Sequence, residues 1–325
     1  MKTKAWEYPA DRKRRRRKLA GWLMVFLLGC AGMCYDALYA RLGLPGWAEL
    51  FDVLQIAGAG PATLLQDHAT QVHFIDVGQG DAVLLEQSDH FALIDAGSDA
   101  YGPQLLGYLE QIGVQELELL VMTHPDRDHI GGMDEVLQQF PVEELWIPNL
   151  DNTDAEDPLY LPHVLTTATG QGTEIVIPVP GQLFALGEGM ITLLSDGVET
   201  DGWNDISLCL RFDVGAFSFL STGDSEKPAE ARLLETGLPL QADVFKAGHH
   251  GSSTSNTQEL LDAVQPQIVV ASCGLDNPYG HPHNSVRQRL AAAGIPLYRT
   301  DRHGNVVIVP DADGAPQAYT EKKLA

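Results

Sequence analysis

The sequence predicts a layered α+β domain on three observations. Short β-branched and aliphatic runs alternate with helical patterns from residue 72 onward, strands open each half of that stretch with helices between them, and three apolar runs end in residues able to hold a metal ion. In the first half, strands are expected over 72–77, 82–86, 91–95 and 117–123, with a turn at Gly78-Gln79-Gly80-Asp81 and helices over 103–112 and 133–140. Residues 149–170 are polar and irregular, which predicts an insertion or lid. In the second half, strands are expected over 174–177, 190–194, 207–212, 217–222, 243–247 and 268–271, and helices over 228–235, 257–264 and 285–293. The halves look alike in order, without a repeat at a fixed residue period.

Composition sets the outer limits. With 325 residues, 44% hydrophobic and 20% charged, the chain is globular and long enough for one large domain or two smaller ones. The layered texture occupies residues 71–311 and leaves 312–325 as a tail. Nine of the 21 Lys and Arg lie within residues 1–18, so residues 19–325 carry 12 bases against 42 acids, a balance of −30. Such a surface repels polyanions over long range and excludes binding driven by general counterion release. A polyanionic substrate has to be attracted locally.

The basic run from Arg12 to Lys18 abuts an uncharged, mostly apolar run over 19–35, the order of an export signal. Seventeen residues is the lower limit of a membrane-spanning helix. This predicts a basic cytoplasmic segment (1–18), a single-pass signal anchor in the cell membrane (19–35) and a linker (36–70), with the body outside the membrane by the positive-inside rule. A cleaved signal, giving a secreted protein, and a lipoprotein signal at Leu27-Leu28-Gly29-Cys30 are the alternatives. Cys209 and Cys273 lie far apart with no CxxC spacing, which argues against a thiolate metal site and leaves buried thiols or, outside the cell, a disulfide.

The chemistry concentrates where apolar strands end. Leu117-Glu118-Leu119-Leu120-Val121-Met122 runs directly into His124, Asp126, Asp128 and His129, and Pro125 keeps His124 out of helical geometry. Four potential ligands within six residues, followed by Gly131-Gly132, suit a loop folded round an ion. Imidazole favours zinc and similar ions, and carboxylate favours harder ones such as manganese. A second strand ends at Gly223-Asp224, where a carboxylate can bridge two ions. A third ends at Gly248-His249-His250-Gly251-Ser252.

The ordered motifs Asp76-Val77-Gly78-Gln79-Gly80-Asp81, Leu93-Ile94-Asp95-Ala96-Gly97, Thr123 to Gly132, Thr222-Gly223-Asp224, His249-His250-Gly251-Ser252 and Tyr279-Gly280-His281-Pro282-His283 resemble the metallo-β-lactamase-like domain of ComEC-type DNA-uptake competence proteins, over roughly residues 70–310. The resemblance implies an αββα sandwich with the metal site at one edge of two sheets. It implies one or two divalent ions, zinc or manganese, on His124, Asp128, His129, Asp224 and His249, with Asp95 in support; Asp126 is expected as a further ligand, and Asp76 and Asp81 as further supports. The choice between His249 and His250 stays open. Two departures stand out: Asp126 replaces the second imidazole of the usual His-x-His-x-Asp-His, and Asn204-Asp205-Ile206-Ser207 stands where a further histidine ligand is expected. His163 is the sole histidine between His129 and His249. An oxygen-rich first position follows, and manganese rivals zinc.

Phosphodiester hydrolysis is the expected reaction, with Asp126 or Asp128 orienting water and His250, His281 or His283 protonating the leaving group. Arg287, Arg289, Arg299 and Arg302 lie close to these histidines and, with Ser252 and His283, form the expected local substrate-binding patch. DNA or another phosphodiester polymer is the expected partner. A cell-surface phosphodiester such as a teichoic-acid or phosphocholine linkage, and a small ester or lactone, are alternative substrates. A non-catalytic membrane-tethered binding protein on the same fold is the alternative from another class. Nothing beyond the fold supports β-lactamase activity.

Overall fold

On strand β4 (Leu117–Val121), Leu119 and Val121 pack to one side and Leu120 to the other, all fully buried. A strand apolar on both faces must lie between two covering layers. The same alternation splits Leu84 from Val83 and Leu85 in β2 (Val83–Gln87), and Leu220 from Phe217 and Phe219 in β10 (Phe217–Ser221). Both sheets are therefore clothed on both sides. The computed structural model describes residues 68–150, 159–197 and 202–322.

The first sheet has eight strands in the order β15-β14-β1-β2-β3-β4-β5-β6, and the second has seven in the order β13-β12-β11-β10-β9-β8-β7. The strands of the two sheets are β1 (Thr70–Phe74), β3 (His90–Ile94), β5 (Val142–Trp146), β6 (Glu174–Val176), β7 (Leu183–Leu186), β8 (Gly189–Ser195), β9 (Cys209–Val214), β11 (Val244–Lys246), β12 (Ile268–Ala271), β13 (Leu297–Arg299), β14 (Val306–Pro310) and β15 (Pro316–Thr320), besides the three above. Phe74, Trp146, Phe212, Phe217 and Phe219 fill the space between the sheets. Helices Gly102–Ile112, Met133–Gln139 and Leu161–Gln171 cover the outer face of the first sheet, and Lys227–Glu235, Gln258–Val264 and Asn284–Ala292 cover that of the second. The result is the four-layered αββα sandwich.

Each sheet runs antiparallel through its opening strands and then parallel. β1-β2-β3 are antiparallel and β3-β4-β5-β6 parallel; β8-β9-β10 are antiparallel and β10-β11-β12-β13 parallel. The two halves therefore carry their antiparallel-to-parallel junction at matching places, β3/β4 and β10/β11. Loops that leave those junctions from the two sheets meet.

Several expectations need correction. The stretch 149–170 is not irregular throughout: Leu161–Gln171 is a helix that buries Leu161, Val164 and Ala168. Its Pro162 reads as a breaker but occupies the first turn, where proline costs no hydrogen bond. Residues 151–158 lie outside the described residues. Strands β5, β7, β13, β14 and β15 were not anticipated; Glu143 and Glu144 hide β5, and β15 pairs with β14 in what reads as a tail. Cys209 and Cys273 are separate buried thiols, not a disulfide. Burial pushes both thiols up to about 12, so they are unreactive at neutral pH. The expected basic segment, the anchor and nearly all of the linker lie outside the described residues. Among the described residues no helix is long and apolar enough to cross a membrane.

Candidate metal centre

The ends of the two sheets touch at Thr123, whose carbonyl accepts the Leu208 N–H at 3.0 Å. Around that point the chain must bend sharply. Asp95, just beyond β3, adopts φ 58°, a left-handed conformation rare outside glycine. The same residue accepts from the Thr123 N–H (2.9 Å) and hydroxyl (2.7 Å) and binds His129 Nδ1 (2.7 Å). Three bonds to one carboxylate fix the loop and the His129 ring, leaving Nε2 to face the interior.

His250 is fixed in the same way. Its Nδ1–H donates to Ser272 O at 3.0 Å, which turns Nε2 toward the interior. That atom lies 3.2 Å from Asp128 Oδ2 and 3.5 Å from Asp224 Oδ2, and His129 Nε2 lies 3.3 Å from the same Asp224 oxygen. Donors bound to one ion at about 2.0–2.2 Å stand roughly 3.0–3.6 Å from one another. The spacing is that of an ion's coordination shell. The Nε2 atoms of His124, His129 and His250 and Oδ1 of Asp224 are buried without a hydrogen-bond partner. Such orphans are costly, and divalent ions held among these donors would satisfy the imidazole nitrogens. The residues present fit a metal.

Asp81 also lies within 4.8 Å of donor atoms of His129, Asp224 and His250. It faces the backs of the rings, however: Oδ2 pairs with the Lys246 ammonium and stands 3.8 Å from His129 Nδ1, and Oδ1 stands 3.7 Å from His250 Nδ1. Those Nδ1 atoms are already engaged by Asp95 and Ser272. Asp128, on the Nε2 side, is the better fourth donor. Gly80 positions it, since a Cβ there would meet Asp128 O at 2.4 Å, and the Asp81 N–H donates to that same oxygen at 3.0 Å.

A second group adjoins the first. His124 Nε2 lies 3.6 Å from Asp126 Oδ2, and His249 Nε2 lies 3.7 Å from Asp224 Oδ2. Ser207 lies behind the His124 ring and does not take the place of an imidazole: its hydroxyl is 3.4 Å from His124 Nδ1 and accepts the Asp224 N–H at 3.0 Å. His163 is exposed on the helix Leu161–Gln171 and takes no part. Asp224 Oδ2 stands between the two groups.

Charge is concentrated here. Burial, which opposes charge, is overcome by mutual attraction: Asp224 and Asp95 raise His129 well above its usual range, and Asp224 and Asp81 push His250 up to about 10. Despite its own burial, Asp128 is held at about 2 by His250 and His129. In the metal-free protein the surrounding acids thus favour the protonated forms of His129 and His250. Ligation needs them neutral, so ion binding is expected to release about two protons and to tighten by up to roughly tenfold per proton for each pH unit, as far as pH 10 for His250. Calorimetry in buffers of different ionisation enthalpy measures this number; uptake or no release overturns it.

The other expected site residues divide. His281 lies at the rim, its ring 5.5 Å from His249 and 5.9 Å from His250. Burial, with the nearby His250 and His249, pushes it down to about 4, so it is neutral and not primed to donate a proton. His250, expected as an acid, is turned into the ligand cluster, whereas His249 is less buried and has Nδ1 against Glu226 at 3.3 Å. His283 is spent as a brace between loops, accepting the Ser253 N–H at 2.8 Å and donating to Tyr279 O at 3.1 Å. Ser252 bonds the Thr254 hydroxyl at 2.9 Å within its own turn. Asp76 pairs with Lys322 at 3.6 Å and shapes the turn at Gly78 without reaching the histidines. Arg299 is claimed by Asp301, and Arg289 donates to Asn256 O. Arg287 and Arg302 stay exposed and line a cleft of about 440 Å³ with Gln288 and His303. Sequence reasoning missed Lys246, Glu226 and Ser207. A lone lysine inside the apolar run Val244-Phe245-Lys246-Ala247 was the available signal.

Fold and site together define the class: the chain belongs to the metallo-β-lactamase superfamily, whose profile matches residues 75–274. Within it, the chain is similar to the ComE operon protein 3 of Bacillus subtilis (strain 168), 30% identical over 255 residues, 73% of this chain and 32% of that protein. It is likewise similar to the competence protein ComA of Neisseria gonorrhoeae, 32% identical over 272 residues, 81% of this chain and 35% of that protein. The chain thus spans about a third of the length of these relatives. The competence-protein resemblance read from the motifs holds. Two solved structures share the fold at low identity. They are the metallo-β-lactamase fold protein YhfI from Bacillus subtilis (13% identity, TM-score 0.51, 73% of this chain and 98% of that one) and the diiron β-hydroxylase CmlA from Streptomyces venezuelae (15%, 0.52, 84% and 59%).

Proposed function

We propose that this chain is a metal-dependent phosphodiesterase acting on DNA or a similar phosphodiester polymer, with its body on the outer side of the membrane. The observation that carries the proposal is the convergence of the buried, unpartnered Nε2 atoms of His129 and His250 on the Asp224 carboxylate at strand ends. His129, His250, Asp128 and Asp224 would hold one divalent ion, and His124, Asp126 and His249 would serve a second position across Asp224. Bound there, an ion lowers the pKa of a water toward ~7 and polarises a phosphoryl oxygen.

The chain's own residues do the rest. Asp126 keeps a partly exposed carboxylate at the mouth, 41% accessible, where it can orient an incoming water. Neutral His281 offers a hydrogen bond at the rim and not a ready proton. Arg287 and Arg302, exposed on a cleft that shares no residue with the metal centre, are the free cations this reading assigns to the attraction that the body's charge of −30 makes necessary. Three carboxylates, Asp126, Asp128 and Asp224, beside four imidazoles give more oxygen than the usual His-x-His-x-Asp-His supplies, which makes manganese a rival to zinc. The basic run at 12–18 followed by the apolar run at 19–35 supports an anchored, extracytoplasmic position.

The test is hydrolysis of a DNA oligonucleotide and of a generic bis-aryl phosphodiester by the purified chain reconstituted with manganese or with zinc. Cleavage of both substrates is expected, with manganese as well as with zinc. Cleavage of the aryl diester alone sinks the nuclease reading, and inactivity on both with no bound metal favours a binding protein.

A further inference from the structure

Tyr279 and Leu275 are 63% and 73% exposed on the loop that follows β12, next to the metal centre. A flat aromatic side chain held in water beside a site is available to stack on what the site binds. The loop that carries them is braced. Asn277 Nδ2 donates to Gly274 O (3.0 Å) and His281 O (2.8 Å), its Oδ1 accepts the His281 N–H (2.9 Å), and the Gly280 N–H donates to Asn277 O (3.2 Å). Gln79, from the opposite sheet, accepts the Gly274 N–H at 3.2 Å.

The rings on this loop form a series. Tyr279 lies 19° from parallel with His281 at 5.6 Å, and His281 lies 28° from parallel with His250 at 5.9 Å. Flat surfaces thus step from solvent down to the imidazole whose Nε2 faces Asp128 and Asp224. Tyr279 is the outermost, and its exposure leaves it open to a further planar group.

We propose that Tyr279 is a stacking platform for a nucleobase, so that the site takes single-stranded nucleic acid in preference to duplex; this rests on the phosphodiesterase reading above. A body charged −30 gains little from phosphates at large, whereas stacking on an uncharged ring is independent of that charge. Every base has a π-face, so the platform tolerates any sequence. A base inside a duplex has both faces covered by its neighbours and cannot reach it without unstacking.

The experiment compares the full chain with its Tyr279→Ala and Tyr279→Phe variants, all loaded with manganese, on three substrates: a single-stranded oligonucleotide, the same backbone made abasic, and a duplex. Tyr279→Ala is expected to raise KM on the base-bearing strand about tenfold while kcat and the abasic rate stay within about twofold, and Tyr279→Phe is expected to match the parent. The parent is expected to prefer the single strand to the duplex. An unchanged KM in Tyr279→Ala, or an equal loss on the abasic strand, overturns the platform and leaves the phosphodiesterase reading standing. Failure of the parent to cleave any of the three overturns both.

Discussion

Replacing Asp224 by alanine is expected to strip the metal from the protein and to lower phosphodiester hydrolysis about 10³-fold, as loss of an ion supplying some 4 kcal/mol of transition-state stabilisation requires. Asp224 alone, among the described residues, has one oxygen within 3.3, 3.5 and 3.7 Å of three imidazoles. Without that carboxylate, His129 and His250 lose the main attraction that raises their pKa values, and the two groups of donors lose their common member. Asp95→Asn is the graded control. It keeps a hydrogen bond to the loop but weakens the orientation of His129, for which a loss of about 10- to 100-fold in metal affinity is expected. Elemental analysis alongside initial rates decides the matter. An Asp224→Ala protein that keeps its metal and its rate removes the proposed centre.

Lys246→Met carries the largest expected effect on stability, a loss of about 3–5 kcal/mol. Lys246 and Asp81 are each 1% exposed and form a direct ion pair, and the ammonium also donates to Gly223 O at 3.2 Å and lies 4.0 Å from Asp224 Oδ1. Removing the ammonium strands a buried carboxylate. Burial alone would raise Asp81 and lower Lys246, yet Asp81 is depressed by Lys246 and His250, and Lys246 is raised by Asp81 and Asp224. A depressed acid stabilises above its ordinary 3.8, and a raised base stabilises below its ordinary 10.5. The pair therefore contributes fully between those values, and the penalty of Lys246→Met is expected to shrink as pH falls, because burial lets the stranded carboxylate protonate above its ordinary 3.8 and, below 3.8, the parent pair loses its own contribution. Thermal unfolding as a function of pH measures this. A Tm unchanged at pH 7 refutes it.

The candidate site was legible in unequal parts. Asp128, His129, Asp224 and the His249-His250 pair could be read directly because each follows an apolar strand, and a buried strand fixes where its next residue emerges. The choice of His250 over His249 was not legible. It depends on both residues adopting left-handed backbone, φ 49° and 55°, which sends one ring to Ser272 and the interior and the other toward Glu226. His283 and Ser252 looked like substrate contacts by residue type, but their atoms are consumed by bonds to other loops. Arg299 was similarly discounted only by its partner two residues on, Asp301.

The sequence by itself determined the alternation of elements, the three strand ends that bear ligands, the strongly acidic body and the replacement of two expected histidines. These are local or additive properties, written in periodicity, spacing and charge. Tertiary structure decided which imidazole nitrogens turn inward, that Asp81 backs the rings in company with Lys246, that Ser207 stands behind His124, and that Tyr279 is held out in water beside the centre. All of these arise from contacts between segments far apart in the chain. The orientation of a ring is set by the partner of its other nitrogen, and that partner comes from another strand.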